Sequence, residues 1–338
     1  MKKIALFAML AGIVAVSCNK NMDIQPSQPE NPQEKYEVIV GVSNVDLVIT
    51  ETRADLTATN AEKKVDDAYV LVYNSNGNLV DYKSWSGSSV KFALEAGTYK
   101  FFAIINTGLT SMPANLSALN AFKATLKADL SGFTMFGSTE KTIATGTEKF
   151  SISAKRLAAK VVFNDLKVNF SSSSLQAAGM TLNAVYLINA AGDLTFGSYL
   201  NSSFTGTSLW YNQLKYAKGD CDSYLYAGGL NLSAAHGSTK NVNKTFYVYP
   251  NGTASDAHGG SWSARKTRLV LEATVDGSKC YYPFTFDTLE PNKVYNVKTI
   301  TVTRKGVANP DDVWNDNEVS GDVTIDDWTN GGDYSEEM

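Results

Sequence analysis

Histidine and cysteine are nearly missing from this chain, with two His and three Cys among 338 residues. That leaves little material for a metal centre or for imidazole acid–base chemistry, and none is expected. Positive charge is not in excess either. The 30 Lys+Arg face 34 Asp+Glu, a formal net charge of -4, which excludes the broadly basic surface that nucleic acid binding requires. Arginine is especially scarce, occurring only at Arg53, Arg156, Arg265, Arg268 and Arg304. Beyond the first residues no apolar run is long enough to cross a bilayer. What is abundant is tyrosine and phenylalanine, 17 and 15 residues, with 25 glycines. This composition suits sheet cores with aromatic cross-strand pairs and glycine-rich turns. It predicts a β-rich protein that is not an enzyme and carries no cofactor.

The N-terminus reads as an export signal. Lys2 and Lys3 precede an apolar stretch, Ile4 to Val16, too short to span a membrane comfortably. It ends in Ala15-Val16-Ser17-Cys18, which resembles a bacterial lipobox, so Cys18 is the expected lipidation site, carrying diacylglycerol and palmitate. The remaining cysteines, Cys221 and Cys280, either pair or stay as thiols; the residues leave both open. Asn19 to Lys35 is polar, holds Pro26, Pro29 and Pro32, and reads as a tether.

After the tether the pattern becomes one of strands. Val38, Val40 and Val42 alternate, then Val45, Leu47 and Ile49 alternate on the other parity. The slip at Ser43-Asn44 predicts a bulge in one long strand. Tyr69 to Tyr73 is apolar almost throughout, as in a strand buried on both faces. Leu79 to Lys83 follows as its hairpin partner, and Val90 to Leu94 with Tyr99 to Asn106 predicts a second hairpin-like unit. Pro113 opens the one helical candidate, with Leu116, Leu119, Phe122 and Leu126 at helical spacing. Further strands are expected near Phe133–Phe136, Lys149–Ser153, Leu157–Phe163, Leu166–Phe170, Leu182–Ile188 and Lys244–Tyr249. Thr267–Val275 and Lys279–Phe286 are joined by the turn Asp276-Gly277-Ser278. Asn201 to Asn243 lacks periodicity and reads as long surface loops. In the tail, Val294–Val302 is a strand, and Val319, Gly321, Val323 and Ile325 alternate within Glu318 to Trp328. Many short strands with glycine-rich turns predict an all-β chain with two tandem β-sandwich domains.

The runs Glu51-Thr52-Arg53-Ala54, Ala68 to Asn74, Ile104 to Gly108, Phe246 to Asn251 and Asn292 to Val297 come in a telling order. In that order they resemble the Bacteroidales fimbrillins, the major fimbrial subunits of type V pili. The lipobox and tether precede them, and the resemblance covers nearly the whole chain except Asn201 to Asn243. It implies transthyretin-like sandwiches and the following organisation: signal peptide 1–17, tether 18–35, propeptide strand 36–53, an N-terminal domain 54–155 and a C-terminal domain 156–338 whose donor strand is about 318–328. It also implies a lipid-anchored precursor at the outer membrane, cut by an arginine-specific protease between Arg53 and Ala54. The propeptide strand carrying Val38, Val40, Val42, Val45, Leu47 and Ile49 then leaves. The donor strand of another subunit, carrying Val319, Val323, Ile325 and Trp328, takes its place. The partners implied are further copies of the chain, with anchor and tip subunits, in a cell-surface fimbrium that supports adhesion and biofilm formation.

The residues are compatible with such an exchange on energetic grounds. Six buried aliphatic side chains would stabilise the propeptide strand by about 9–18 kcal/mol gross, opposed by roughly 1–2 kcal/mol per residue of backbone ordering. While attached, the strand has an effective concentration on the order of millimolar, so it outcompetes a free rival until the chain is cut.

Other readings compete. A tip or accessory adhesin would lack a usable tail strand. A glycan-binding surface lipoprotein could use Trp210, Tyr211 and Trp262 as stacking platforms. His236 and His258 lie in loop-like sequence without a motif partner. Asp311, Asp312, Asp316 and Glu318 lack calcium-loop spacing and are expected to form a solvated loop.

Overall fold

The computed structural model describes residues 34–43, 59–126, 132–213, 225–254, 262–312 and 319–327. The first half runs β1 (Lys35–Ser43), α1 (Asn60–Lys63), β2 (Ala68–Asn74), β3 (Leu79–Ser84), β4 (Val90–Glu95) and β5 (Gly97–Ile105). It continues with α2 (Leu116–Ala121), β6 (Lys123–Thr125), β7 (Met135–Ile143), β8 (Glu148–Ser153) and β9 (Lys155–Arg156). The second half begins with β10 (Ala159–Val168), α3 (Ser173–Ala178), β11 (Met180–Ile188), β12 (Ala190–Ala191), β13 (Asp193–Thr195) and α4 (Phe196–Leu200). Short strands follow, β14 (Trp210–Tyr211), β15 (Tyr226–Ala227) and β16 (Leu232–Ala234). The long strands β17 (Thr239–Val248), β18 (Arg268–Val275), β19 (Ser278–Thr285), β20 (Lys293–Val302) and β21 (Val319–Asp327) complete it.

The all-β expectation is met: strands dominate, and the helices are four short turns among the described residues. In the first half a three-stranded sheet, β4-β1-β8, faces a five-stranded sheet, β3-β2-β5-β7-β9. Their shared core holds Val38, Val40, Val70, Val72, Phe92, Leu94, Phe101 and Ile152. In the second half β17-β10-β20-β21 faces β15-β11-β18-β19, with β16 beside β11. Both pairs of sheets fall within one compact unit, Lys35–Met338.

Alternation explains the middle layer. Along β2, Val70 and Val72 point to the first core while Leu71 and Tyr73 point to the second. Along β5, Phe101, Ala103 and Ile105 face one way and Phe102 and Ile104 the other. A strand covered on both faces needs a continuous apolar run, which is what Tyr69–Tyr73 supplies. Across this layer Phe136 packs on Phe196 at 4.2 Å and Phe133 on Tyr247 at 4.8 Å between ring centres.

Several expectations need correction. Val90–Leu94 and Tyr99–Asn106 do not form a hairpin: β4 pairs with β1, whereas β5 pairs with β2 and β7. The Ala96–Gly97 corner carries the chain from one sheet to the other. The helix starts at Leu116, after Asn115, whose side chain accepts a hydrogen bond from Ala118 N at 2.9 Å, and Leu126 lies beyond β6. Leu157–Phe163 and Leu166–Phe170 are one strand, β10, with a register shift between Phe163 and Asp165. Asn201 to Asn243 is not loop throughout, since β14, β15, β16 and the start of β17 lie in it. The Asp276–Gly277 turn is as expected; both residues have positive φ, 47° and 68°, the left-handed geometry of a two-residue hairpin.

Candidate functional site

Two strands near opposite ends of the chain are held in different ways. The first is β1, the central strand of its sheet. It pairs antiparallel with β4 from Lys35↔Glu95 to Val40↔Val90, and parallel with β8 from Val38↔Glu148 to Ser43↔Ser153. Val38 and Val40 are fully buried; Tyr36 and Val42 are half-buried and pack against the same core. Two full aliphatic burials contribute about 3–6 kcal/mol gross. On the outer face Glu37 and Lys91 form an exposed ion pair at 3.1 Å, which contributes little. With β1 absent, β4 and β8 would flank a slot roughly 10 Å across, one strand wide. Its floor would be Phe92, Leu94, Phe101 and Ile152.

The second is β21, an edge strand. Among the described residues it pairs with β20 alone, antiparallel, from Lys293↔Asp327 to Val302↔Val319, with a register shift between Val297 and Thr299. Of its side chains, Val323 is half-buried against the second core. Asp327 is exposed and lies 2.7 Å from Lys293 Nζ. The Lys293 ammonium, hydrogen-bonded to it, holds the Asp327 carboxyl below the usual carboxylate range.

The expected site residues therefore separate. Val38, Val40 and Val42 meet in one core, and Val323 packs against the other. Val319 and Ile325 lie on the β21 backbone. Cys18, Val45, Leu47, Ile49, Arg53, Ala54, Cys221, His258 and Trp328 lie outside the described residues. Of the arginines, Arg156, Arg265 and Arg268 are 2%, 1% and 0% exposed, whereas Arg304 is exposed. Cys280 is a buried free thiol, raised above the ordinary thiol range by burial. Trp210 and Trp262 pack edge-to-face at 5.4 Å and are half-buried, so their rings serve one another. Among the described residues no three His, Cys, Asp or Glu come together as a metal site.

Two of the buried carboxylates, Asp311 and Glu62, were not legible as such. Asp311, expected in a solvated loop, is 2% exposed and sits 2.5 Å from both Arg265 Nη1 and Arg268 Nη1. Burial between two guanidinium groups compensates its charge. Glu62 is fully buried. It closes a capping box with Thr59, accepts a hydrogen bond from the Tyr247 hydroxyl, and lies 3.1 Å from Lys160 Nζ. The Thr59-x-x-Glu62 spacing was the available signal.

Residues 43–183 match the family described as major fimbrial subunit protein (FimA). No curated protein matches the chain in sequence. A proposed cell adhesion protein from Bacteroides eggerthii superposes with a TM-score of 0.60 at 18% identity, covering 89% of this chain and 98% of that one. A fimbrilin from Porphyromonas gingivalis gives 0.56 at 15% identity, covering 88% and 98%. A proposed cell adhesion protein from Parabacteroides distasonis gives 0.57 at 14% identity, again covering 88% and 98%. At these identities the likeness is one of fold.

Proposed function

We infer from a chain that carries the major fimbrial subunit pattern over residues 43–183, on a fold shared with fimbrilin, that it is a structural subunit of a cell-surface fimbrium. In this reading it is a shaft pilin, exported as a precursor lipidated at Cys18, cut between Arg53 and Ala54, and polymerised by strand exchange. Residues 36–53 are the segment that leaves, 54–155 and 156–338 the two domains of the mature subunit, and 318–328 the donor. Its partners are further copies with anchor and tip subunits, and the assembled fibre supports adhesion and biofilm formation.

The observation that carries the reading is the contrast between the two strands. β1 lies between two ladders and fills a core, so its departure would leave a slot matched to one strand. β21 hangs on one ladder at an edge, so it can be given away without dismantling the sheet behind it. Both alternate apolar residues at period two, the pattern that strand addition reads through main-chain hydrogen bonds and alternate pockets. An adhesin at the tip would have no need of such an edge strand. The burial of three of the five arginines also favours Arg53 as the accessible processing point.

The test is intact mass and native size before and after treatment with an arginine-specific protease. A product beginning at Ala54, followed by a ladder of oligomers, is expected. Cleavage at Arg53 without oligomers would move the protein to a tip or capping role. A folded precursor that resists cleavage there, or is cut only at Arg304, would overturn the trigger.

A further inference from the structure

Two of the buried carboxylates, Glu62 and Asp311, flank the segments that this reading sets in motion. Glu62 lies in α1, beyond residues 44–58, which join it to β1. Its Oε2 accepts a hydrogen bond from Thr59 N at 2.5 Å, its Oε1 faces Lys160 on β10 and Tyr247 on β17, and Arg156 Nη2 donates to its carbonyl at 3.3 Å. The stretch that follows is stapled as well. Asn106 Oδ1 accepts from Asp66 N at 2.7 Å, Asn106 Nδ2 donates to Lys64 O at 2.7 Å, and Asp67 accepts from Thr107 and Gly108. Asp311 lies just before residues 313–318, which lead to β21. Besides the two arginines, it accepts from Asn189 Nδ2 at 3.0 Å. Upstream of it, Val307 pairs with Tyr281 through both backbone bonds at 2.9 Å, and Tyr282 donates to Arg304 O.

We propose that Glu62 and Asp311 are boundary anchors that set how far the chain can detach: the segment released at the N-terminal side ends before Thr59, and the donor arm begins after Asp312. The proposal rests on the strand-exchange reading and adds to it where the rigid body stops. Its physical basis is the shape of the detachment energy. Apolar contacts are lost one side chain at a time, so a strand held by them peels gradually. A buried ion pair contributes little compared with an apolar pair of the same shape, yet separating it leaves uncompensated charge in a low-dielectric site. Peeling that reaches Glu62 or Asp311 therefore meets a step. By contrast, in the pair at the end of β21 Asp327 is exposed and Lys293 only half-buried, so solvent screens it and it offers no such step. Cleavage after Arg53 would then leave only residues 54–58 between the new terminus and the anchor at Thr59.

Hydrogen exchange read by mass spectrometry on the full-length, uncleaved monomer tests this. In the wild type, β21 is expected to exchange at least about 10-fold faster than residues 304–312, and residues 59–67 to be as protected as β10. Asp311→Asn should raise exchange over 304–312 to the β21 rate, on the order of a hundredfold, with β10 and β20 unchanged. Glu62→Gln should do the same over 59–64. One shared rate for β21 and 304–312 in the wild type, or variants that leave these segments as protected as before, overturns the proposal. Should a variant raise exchange throughout its half, the wild-type rates decide. Because no cleavage is involved, the anchors stand or fall separately from polymerisation, which the protease experiment reads.

Discussion

At the scale of single residues, asparagines do work that a hydropathy reading passes over. Asn106 is fully buried with φ of 56°, and its amide makes three hydrogen bonds, to Asp66 N, Lys64 O and Phe133 O. Asn251 is 3% exposed and donates to Arg265 O and Thr267 Oγ1. Asn292, with φ of 58°, accepts from Arg156 N. All three belong to runs that carried the family resemblance, and each ties its turn to a segment distant in sequence. Asn106→Ala should lower stability by about 3 kcal/mol, because buried backbone groups lose their partners; urea unfolding measures it. Val40→Ala should cost about 2 kcal/mol through lost burial and a cavity beside Phe92 and Phe101. Calorimetry of the precursor checks that value, and the loss should be absent once β1 has been removed. The aliphatic positions were legible in sequence, because burial on a strand alternates with period two. The asparagines and the paired carboxylates were not, since a polar residue in a string reads as exposed until its partners are known.

At the scale of elements, most strands stood where alternation placed them, and β18–β19 closed on its Asp-Gly turn as expected. Pairing was less legible. β4 and β5 are neighbours in sequence and separated by a short corner, yet they belong to facing sheets. Local pattern specifies which face of a strand is apolar, but both sheets of a sandwich present apolar faces inward, so the pattern is the same in either sheet. For β21 the expectation is that deleting residues 319–338 leaves a folded body, because only one ladder is lost. Its melting temperature should fall on the order of 5 °C while the transition stays cooperative, and the exposed β20 edge should make the protein prone to associate. A truncated chain that unfolds altogether would show that β21 is part of the body and not an arm.

At the scale of the molecule, the two halves repeat one plan. β1 sits between an antiparallel neighbour, β4, and a parallel one, β8; β10 sits likewise between β17 and β20. The copies differ in how firmly the central strand is held. β10 buries Val161, Val162, Phe163, Leu166 and Val168, whereas β1 fully buries only Val38 and Val40. The halves are joined by aromatic packing and by β6 on β13, where Asp193 is 2% exposed. Burial pushes the Asp193 carboxyl up, but hydrogen bonds from Ser208, Leu209 and Lys123 outweigh it and hold the carboxyl below the usual range. A carboxylate depressed in the folded state adds stability that is present above its unfolded value, about 3.9, and lost as pH falls through the lower folded value. Melting temperature should therefore drop as pH is lowered below about 4, and Asp193→Asn should flatten that part of the profile.

By itself the sequence determined the strand-rich composition, the apolar face of nearly every strand and the family resemblance, which the match over residues 43–183 bears out. These are local properties: periodicity, turn chemistry and short runs are written within a few residues of one another. The tertiary structure alone decided that β1 lies between two ladders and β21 on one, and that Tyr247 meets Glu62 across 185 positions of chain. Such contacts depend on how the whole chain closes on itself, and a buried charge is tolerated only where that closure brings its partner.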